Sequence, residues 1–289
     1  MTEKQQKLDI LSFNVEGLDS ILNDPSFHTL IENHDICFLT ETMRKDDSKL
    51  GINGFWDHSL IRLKLKKEGR FSGGISVLVK THLRNGVKIA HCSEGFLCIR
   101  LIKSFFNLPS DLYICGTYIP PYNTSKEILA KTDYFHELIS LSNKFKELGN
   151  ILILGDLNSR IGCNDDSLNN PDIPFLDDII PAFCSTPKLP ARSACDRTIN
   201  QYGRKLNTII NDLDLFVANG RVPGDNLGNF TCFTSRGRST VDLVISSIKH
   251  MGILLQSLRP YIVLYRSLLN IFSNWNHNQP PQPFLSPQK

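Results

Sequence analysis

Apolar residues in this chain come in short dense runs. Seven of them are rich in Ile, Leu, Val or Phe: LDILSFN (8–14), DICFLTE (35–41), GGISVLVK (73–80), GFLCIRLI (95–102), DLYICGTYI (111–119), ILILGDLN (151–158) and STVDLVISS (239–247). Most are bounded by Gly, Pro, Asp or Asn, and runs of this length and composition predict buried strands. Two stretches carry a helical period instead. Tyr134, Leu138, Leu141, Phe145 and Leu148 recur at intervals of three and four, with Gly149 as a stop. Leu206, Ile209, Ile210 and Leu213 form a second stripe within residues 203–213. Both stripes read as faces packed on a core. Several strands follow one another directly between 73 and 119, which a purely parallel sheet does not allow, because each parallel pair needs a crossover. The pattern therefore predicts an α/β (α+β) arrangement of two packed mixed sheets with helices outside.

Residues 163–200 are rich in Asp, Asn, Pro and Ser and predict a long surface excursion. The Pro/Gln-rich end, NHNQPPQPFLSPQK, predicts a disordered tail. Neither an internal repeat nor a linker interrupts the rest, so one domain is expected over 7–250, followed by a divergent, partly disordered tail over 251–289.

Composition narrows the function classes only a little. Of 289 residues, 41% are apolar and 21% charged, enough to bury a sizeable core. The formal charge is +3, from 32 basic and 29 acidic residues, so any nucleic-acid-binding patch must be local. Eight cysteines lie at 37, 92, 98, 115, 163, 184, 195 and 232 without a Cys-x-x-Cys pair. That argues against a zinc site, and at this length against a disulfide framework; most of the cysteines read as small apolar fillers in a reducing compartment. The N-terminal MTEKQQK lacks the apolar core of a signal peptide, and no apolar run is long enough to span a bilayer. The expectation is an intracellular protein, nuclear or cytoplasmic, with no membrane contact and a monomeric state.

The candidate chemistry sits at the strand ends. In ILILGDLNSR the apolar run stops at Gly155, and Asp156 and Asn158 follow two apart. Residues two apart on a strand share a face, so the two are expected to project together. Asn14 and Glu41 end their own runs, Tyr118 precedes two prolines, and Asp242 opens the last run. Singly, each is turn punctuation; together they suit phosphodiester cleavage. A carboxylate such as Glu41 can hold Mg²⁺, and a second, Asp156, can orient and deprotonate water. The amides of Asn14 and Asn158 and the Tyr118 hydroxyl can bond phosphate oxygens without adding negative charge. These six residues are expected to converge at one end of the two sheets.

The blocks SFNVEGL, FLTET, GTYIPP, GDLNSRIG and STVDLVIS, in this order, resemble the successive motifs of the endonuclease/exonuclease/phosphatase superfamily, which includes the apurinic-site endonucleases and deoxyribonuclease I-like enzymes. The stretch RSACDRTINQYGRKLNTIINDLDLFVANGR (192–221) and the following FTCFTSRGRSTVD resemble the endonuclease domain of non-LTR (LINE-type) retrotransposons. The likeness extends over roughly residues 7–250. It implies a deoxyribonuclease I-like four-layer sandwich, two mixed β-sheets flanked by helices, with its site at one edge. It also implies a Mg²⁺ cofactor (Mn²⁺ as the alternative) and a DNA partner. Glu41 would be the main metal ligand, and Asn14 would bind phosphate or a metal-bound water. Tyr118 would touch the scissile phosphate, Asp156 and Asn158 would place the water, Thr231 would lie near a DNA-facing loop, and Asp242 would orient a histidine. The basic run RLKLKKEGR, with Arg62, Lys64, Lys66, Lys67 and Arg70, is a candidate for backbone phosphate contacts. Arg236 and Arg238 are candidates for a hairpin loop entering a groove.

One motif is missing. The superfamily closes its domain with Ser-Asp-His, yet the only Asp-His dipeptide here is Asp57-His58, far too early in the chain. From about Gly252 onward the sequence contains no Asp or Glu and leaves the family pattern, and no reverse-transcriptase stretch follows. A weakened or inactive nuclease is expected. The rival readings are a DNA- or partner-binding remnant of the same fold and a superfamily hydrolase acting on RNA or another phosphoester.

Overall fold

A computed structural model describes residues 8–62, 71–125, 127, 132–163, 191–222, 225–235 and 237–247, with the backbone of 258–259. The strands are β1 (Leu8–Asn14), β2 (Ile36–Thr40), β3 (Phe55–Leu60), β4 (Ile75–Lys80), β5 (Val87–Ser93), β6 (Phe96–Leu101) and β7 (Leu112–Tyr118). They continue with β8 (Asn150–Asp156), β9 (Leu215–Val217), β10 (Cys232–Thr234), β11 (Gly237–Ser239), β12 (Asp242–Ser247) and β13 (Leu258–Arg259). One sheet has the order β13-β1-β2-β4-β3, the other β5-β6-β7-β8-β12-β9, and β10-β11 form a separate hairpin. The helices are α1 (Pro25–Glu32), α2 (Lys103–Phe106), α3 (Tyr134–Leu148) and α4 (Gln201–Asp212).

Both sheets are mixed, and their parallel pairs explain two of the helices. β1 pairs with β2 in parallel and β7 with β8 in parallel, and the crossovers between them are made by α1 and α3. Each of these helices starts at an aspartate cap: Asp24 accepts from the Ser26 amide at 2.8 Å and Asp133 from the His136 amide at 3.1 Å.

Alternation along the strands sorts side chains into three cores. Ile10, Phe38, Val77, Ile114, Leu152 and Val244 point between the sheets. Their neighbours Leu11, Cys37, Leu39 and Leu78 point outward against Phe27, Leu30 and Ile31 of α1. On the far side, Ile151, Ile153, Leu243 and Ile245 meet Leu138, Leu141 and Phe145 of α3 and Leu206, Ile209 and Ile210 of α4. Strands covered on both faces are apolar at most positions, which is why they appear as near-continuous runs. The result is a four-layer α+β sandwich: helix, sheet, sheet, helices.

The strands bounding these layers are less apolar. β5 (VKIAHCS) lies at one sheet's edge with most of its residues half-buried or exposed, and β3 (FWDHSL) alternates at the edge of the other. Cys98 and Cys115 occupy directly opposed positions on β6 and β7 and are joined as a disulfide, so these two are not simple apolar fillers. No helix among the described residues is long and apolar enough to cross a membrane.

Candidate active site

Gly155 creates the geometry that GDLN encodes. Its φ is +134°, and a Cβ there would come within 2.1 Å of the Thr117 carbonyl on the neighbouring strand. Only glycine lets β8 pass this close to β7 and still deliver Asp156 as its last residue. Asn158 does not continue the pleat as the two-apart spacing suggests. It has left the strand and stands in the left-handed region at φ 48°. A turn brings it back: the Asn158 amide donates to Asp156 Oδ1 at 3.0 Å, and Asn158 Nδ2 donates to the Ile119 carbonyl at 2.8 Å.

Register lines up three functional side chains in one sheet. Tyr118 pairs with Asp156 across β7 and β8, and Asp242 pairs with Asp156 across β12 and β8. Directly paired residues face the same side, so the phenol and the two carboxylates form a row across adjacent strand ends, roughly 4.8 Å from strand to strand.

The other sheet supplies Asn14 and Glu41. Asn14 ends β1 opposite Thr40 of β2, and Glu41 follows one residue past the strand at φ 53°. A non-glycine residue in that region costs about 1–3 kcal/mol and persists only when its surroundings over-determine it. Here the Gly17 amide donates to the Glu41 carbonyl at 2.9 Å, while the amides of Thr42 and Met43 donate to the carbonyls of Gly74 and Gly73. Gly73 and Gly74 both have positive φ, and a Cβ on Gly74 would meet Thr42 Oγ1 at 2.6 Å.

Two hydrogen bonds then join the sheets. Asn14 Nδ2 donates to Asp156 Oδ2 at 3.0 Å, across 142 residues of sequence. The Tyr118 hydroxyl donates to Glu41 Oε1 at 2.5 Å, across 77 residues. All of these groups are buried, Asp156 fully and Tyr118 to within 1%. Burial, reinforced by the Glu41 charge, pushes the Tyr118 phenol far up, so it remains a protonated donor. The structure thus brings Asn14, Glu41, Tyr118, Asp156, Asn158 and Asp242 to one rim.

The residues expected to face DNA are placed differently. Thr231 is buried, and its hydroxyl accepts from the amides of Val241 (3.1 Å) and Asp242 (3.2 Å), fixing the start of β12. Arg62 is also buried; its Nε pairs with Glu94 Oε1 at 2.5 Å and its guanidinium donates to the Tyr134 hydroxyl at 3.1 Å, behind Tyr118. Arg238 is exposed on β11, stacked 4.5 Å over the Phe230 ring. Lys64, Lys66, Lys67, Arg70 and Arg236 lie outside the described residues.

Sequence reasoning did not single out the supports of Asp242 and of the Asp156 loop. Asp196 binds Arg160 through both carboxylate oxygens, at 2.7 and 2.8 Å, and accepts from the Thr240 amide at 2.9 Å. Burial opposes ionisation of Asp196, but Arg160 and the backbone amides outweigh it and hold its carboxyl below the usual range. Asn219 accepts from the Val244 amide and donates to the Asp242 carbonyl, extending the ladder beyond β9. Asp196 and Asn219 both sit inside the 192–221 stretch, which carried the signal as a block but not by residue.

A two-sheet sandwich with carboxylates, amides and a phenol converging at one rim offers the donor set that phosphoester chemistry needs. The chain belongs to the Endonuclease/Exonuclease/phosphatase family, whose model matches residues 11–251. Among solved structures it is similar to the AP endonuclease LMAP from Leishmania major, with a TM-score of 0.56 and 14% identity over 82% of this chain and 78% of that one. The Xenopus laevis APE2 catalytic domain gives the same TM-score and identity, 0.56 and 14%, covering 82% of both chains. The 3'-5' exonuclease NExo from Neisseria meningitidis gives 0.52 and 12%, covering 84% and 88%. At these identities the likeness establishes the shared fold. A comparison with curated proteins found no match.

Proposed function

We propose that this chain is a divalent-metal-dependent phosphodiesterase that nicks DNA, the endonuclease portion of a LINE-type retrotransposon by origin, with turnover weakened by the missing Ser-Asp-His. The observation that carries the reading is the pair of cross-sheet bonds, Asn14–Asp156 and Tyr118–Glu41, which gather residues 142 and 77 positions apart around one point.

The donor set fits Mg²⁺. Among the described residues no three His, Cys, Asp or Glu side chains surround one position. Mg²⁺ needs no such cage, since one or two carboxylates with waters and substrate phosphate suffice. Glu41 would hold it, assisted by Asn14, whose Nδ2 is directed to Asp156 while its Oδ1 accepts from the Glu16 amide at 3.2 Å. The bound ion would polarise the phosphate and stabilise the leaving oxygen. Asp156 is oriented for water activation, one oxygen fixed by Asn14 and the other by the Asn158 amide. Tyr118, kept neutral, donates a hydrogen bond to Glu41 and so fixes the carboxylate that would hold the ion.

DNA as substrate is supported by the family and by a similar structure, a 3' phosphatase NExo variant from Neisseria bound to a product DNA hairpin. Retrotransposon origin rests on the resemblance of residues 192–221. A second reading, a chain that binds DNA without cutting it, is favoured by the lack of any Asp-His pair after Asp242. Losing one pre-placed donor to the reacting phosphate costs about 10²–10³ in rate. A supercoiled-plasmid nicking assay with and without Mg²⁺ tests the proposal: slow nicking that stops in EDTA is expected. Nicking undiminished in EDTA would overturn the metal assignment, and DNA binding without any nicking would establish the second reading.

A further inference from the structure

We propose that Tyr122 is a stacking platform for an unpaired DNA base next to the scissile phosphate, an assignment that rests on the DNA reading above and gives it a substrate class, single-stranded or locally opened DNA. Tyr122 is 47% exposed, in the loop that leaves β7 just after Tyr118. Four residues of chain reach at most about 14 Å, so the ring lies within a few nucleotides of the site at a rise of about 3.4 Å each.

A lone exposed aromatic needs no explanation. This one is built into place. Tyr202 of α4 meets it edge-on, with ring centroids 5.4 Å apart and planes at 73°. Tyr202 is itself buried and packed edge-on to Phe135 at 4.8 Å. A single carboxylate locks loop to helix: Glu127 Oε1 accepts from the Tyr202 hydroxyl at 2.7 Å, and Glu127 Oε2 accepts from the Asn123 amide at 2.8 Å. Asn123 takes the left-handed conformation at φ 56°, turning the chain immediately after Tyr122. Thr124 Oγ1 closes the turn on the Pro121 carbonyl at 2.7 Å.

The platform is tied to the site from two directions. The Ile119 carbonyl, at the start of the loop, accepts from Asn158 Nδ2. Asn200, two residues before Tyr202, donates from Nδ2 to the Asn158 carbonyl at 2.9 Å. Two cations stand on the same helix, Lys205, 5.5 Å over the Phe135 ring, and the exposed Arg204, against the one carboxylate of Glu127. A fixed ring with an exposed side, near two cations and bonded through Asn158 to the loop that follows Asp156, matches how single strands are held. Bases stack on aromatics without sequence preference while cations follow the backbone. A base inside a duplex offers no open face, so the ring selects DNA that is unpaired at this point.

The test is fluorescence anisotropy in EDTA, which reads binding without cleavage, using a labelled mixed-sequence single-stranded oligonucleotide and the same sequence as a blunt duplex. Y122A is expected to weaken single-strand binding by about 5- to 150-fold, the range for losing one base–aromatic stack, and duplex binding much less. Y122F should bind as the unmodified chain does. L148A, at the opposite end of β8 from Asp156 and 57% exposed, should change nothing. Unaltered single-strand binding by Y122A, or equal losses for both oligonucleotides, overturns the platform while leaving the DNA reading standing. An unmodified chain that binds neither oligonucleotide overturns both.

Discussion

Replacing Tyr118 with Phe deletes one oxygen and leaves a buried carboxylate without its phenol donor. The deleted bond is short, 2.5 Å, and both partners are at most 5% exposed. Hydrogen bonds to charged groups are worth about 1.5–3 kcal/mol net, and this one has little solvent to replace it. For a chain of this size each kcal/mol moves the thermal midpoint by roughly 2–4 °C, so Tyr118→Phe should lower it by about 3–12 °C. Lost packing does not confuse the result, because the ring is unchanged. A double-mutant cycle with Glu41→Ala isolates the contact: Tyr118→Phe, Glu41→Ala and the double variant are melted by calorimetry, and the non-additive part is read directly. A coupling of about 1–3 kcal/mol is expected. Additivity to within about 0.5 kcal/mol would refute the reasoning, since groups that do not meet behave so.

Other outcomes follow from neighbouring features. In Mg²⁺, Glu41→Ala and Asp156→Ala should each remove nearly all plasmid nicking, and activity retained by either would displace that residue from the mechanism. Gly155→Ala forces a Cβ against the Thr117 carbonyl at a positive φ and should cost about 3 kcal/mol, measured as a lower denaturant midpoint. Tyr118, Tyr134 and Tyr202 are raised above their ordinary value of 10.0 chiefly by burial, Tyr134 to about 12. The unfolded chain ionises first, so their contribution is complete below pH 10.0 and lost as pH climbs through the folded values; melting midpoints should fall over that alkaline window. Replacing the chain from about Gly252 with a family tail ending in Ser-Asp-His should raise nicking on the order of 10²–10³-fold, and an unchanged rate would assign the weakness elsewhere.

How much of this was legible depends on what each residue is asked to do. Strands sheltered on both faces announced themselves: β1 begins and ends where LDILSFN does, and α3 spans the whole predicted stripe. β3 and β5 did not, because edge strands mix exposed polar with buried apolar positions, and HCS or WDH read as loop. At the site, residue types and order were readable but geometry was not. Glu41 and Asn158 look like strand-end residues, yet both stand in left-handed backbone, a conformation that sequence signals clearly only through glycine. The Asn14–Asp156 bond spans 142 residues and follows from sheet docking, which no local pattern contains. Thr231 and Arg62 show the opposite error of scale. A hydroxyl and a cation near the site suggest contact with a polyanion, whereas here one accepts from backbone amides and the other pairs with the half-buried Glu94.

The division of the site between sheets has a temporal consequence. Strands β1 to β4, which deliver Asn14 and Glu41, come from residues 8–80, and the strands that deliver Tyr118, Asp156 and Asp242 come from residues 87–247. On a chain made from its N-terminus, the first set emerges from the ribosome long before its counterpart exists. Neither half holds the constellation by itself, so the rim of carboxylates, amides and phenol forms only when docking is complete. A nascent or partly unfolded copy therefore lacks the assembled rim, which is withheld by topology alone.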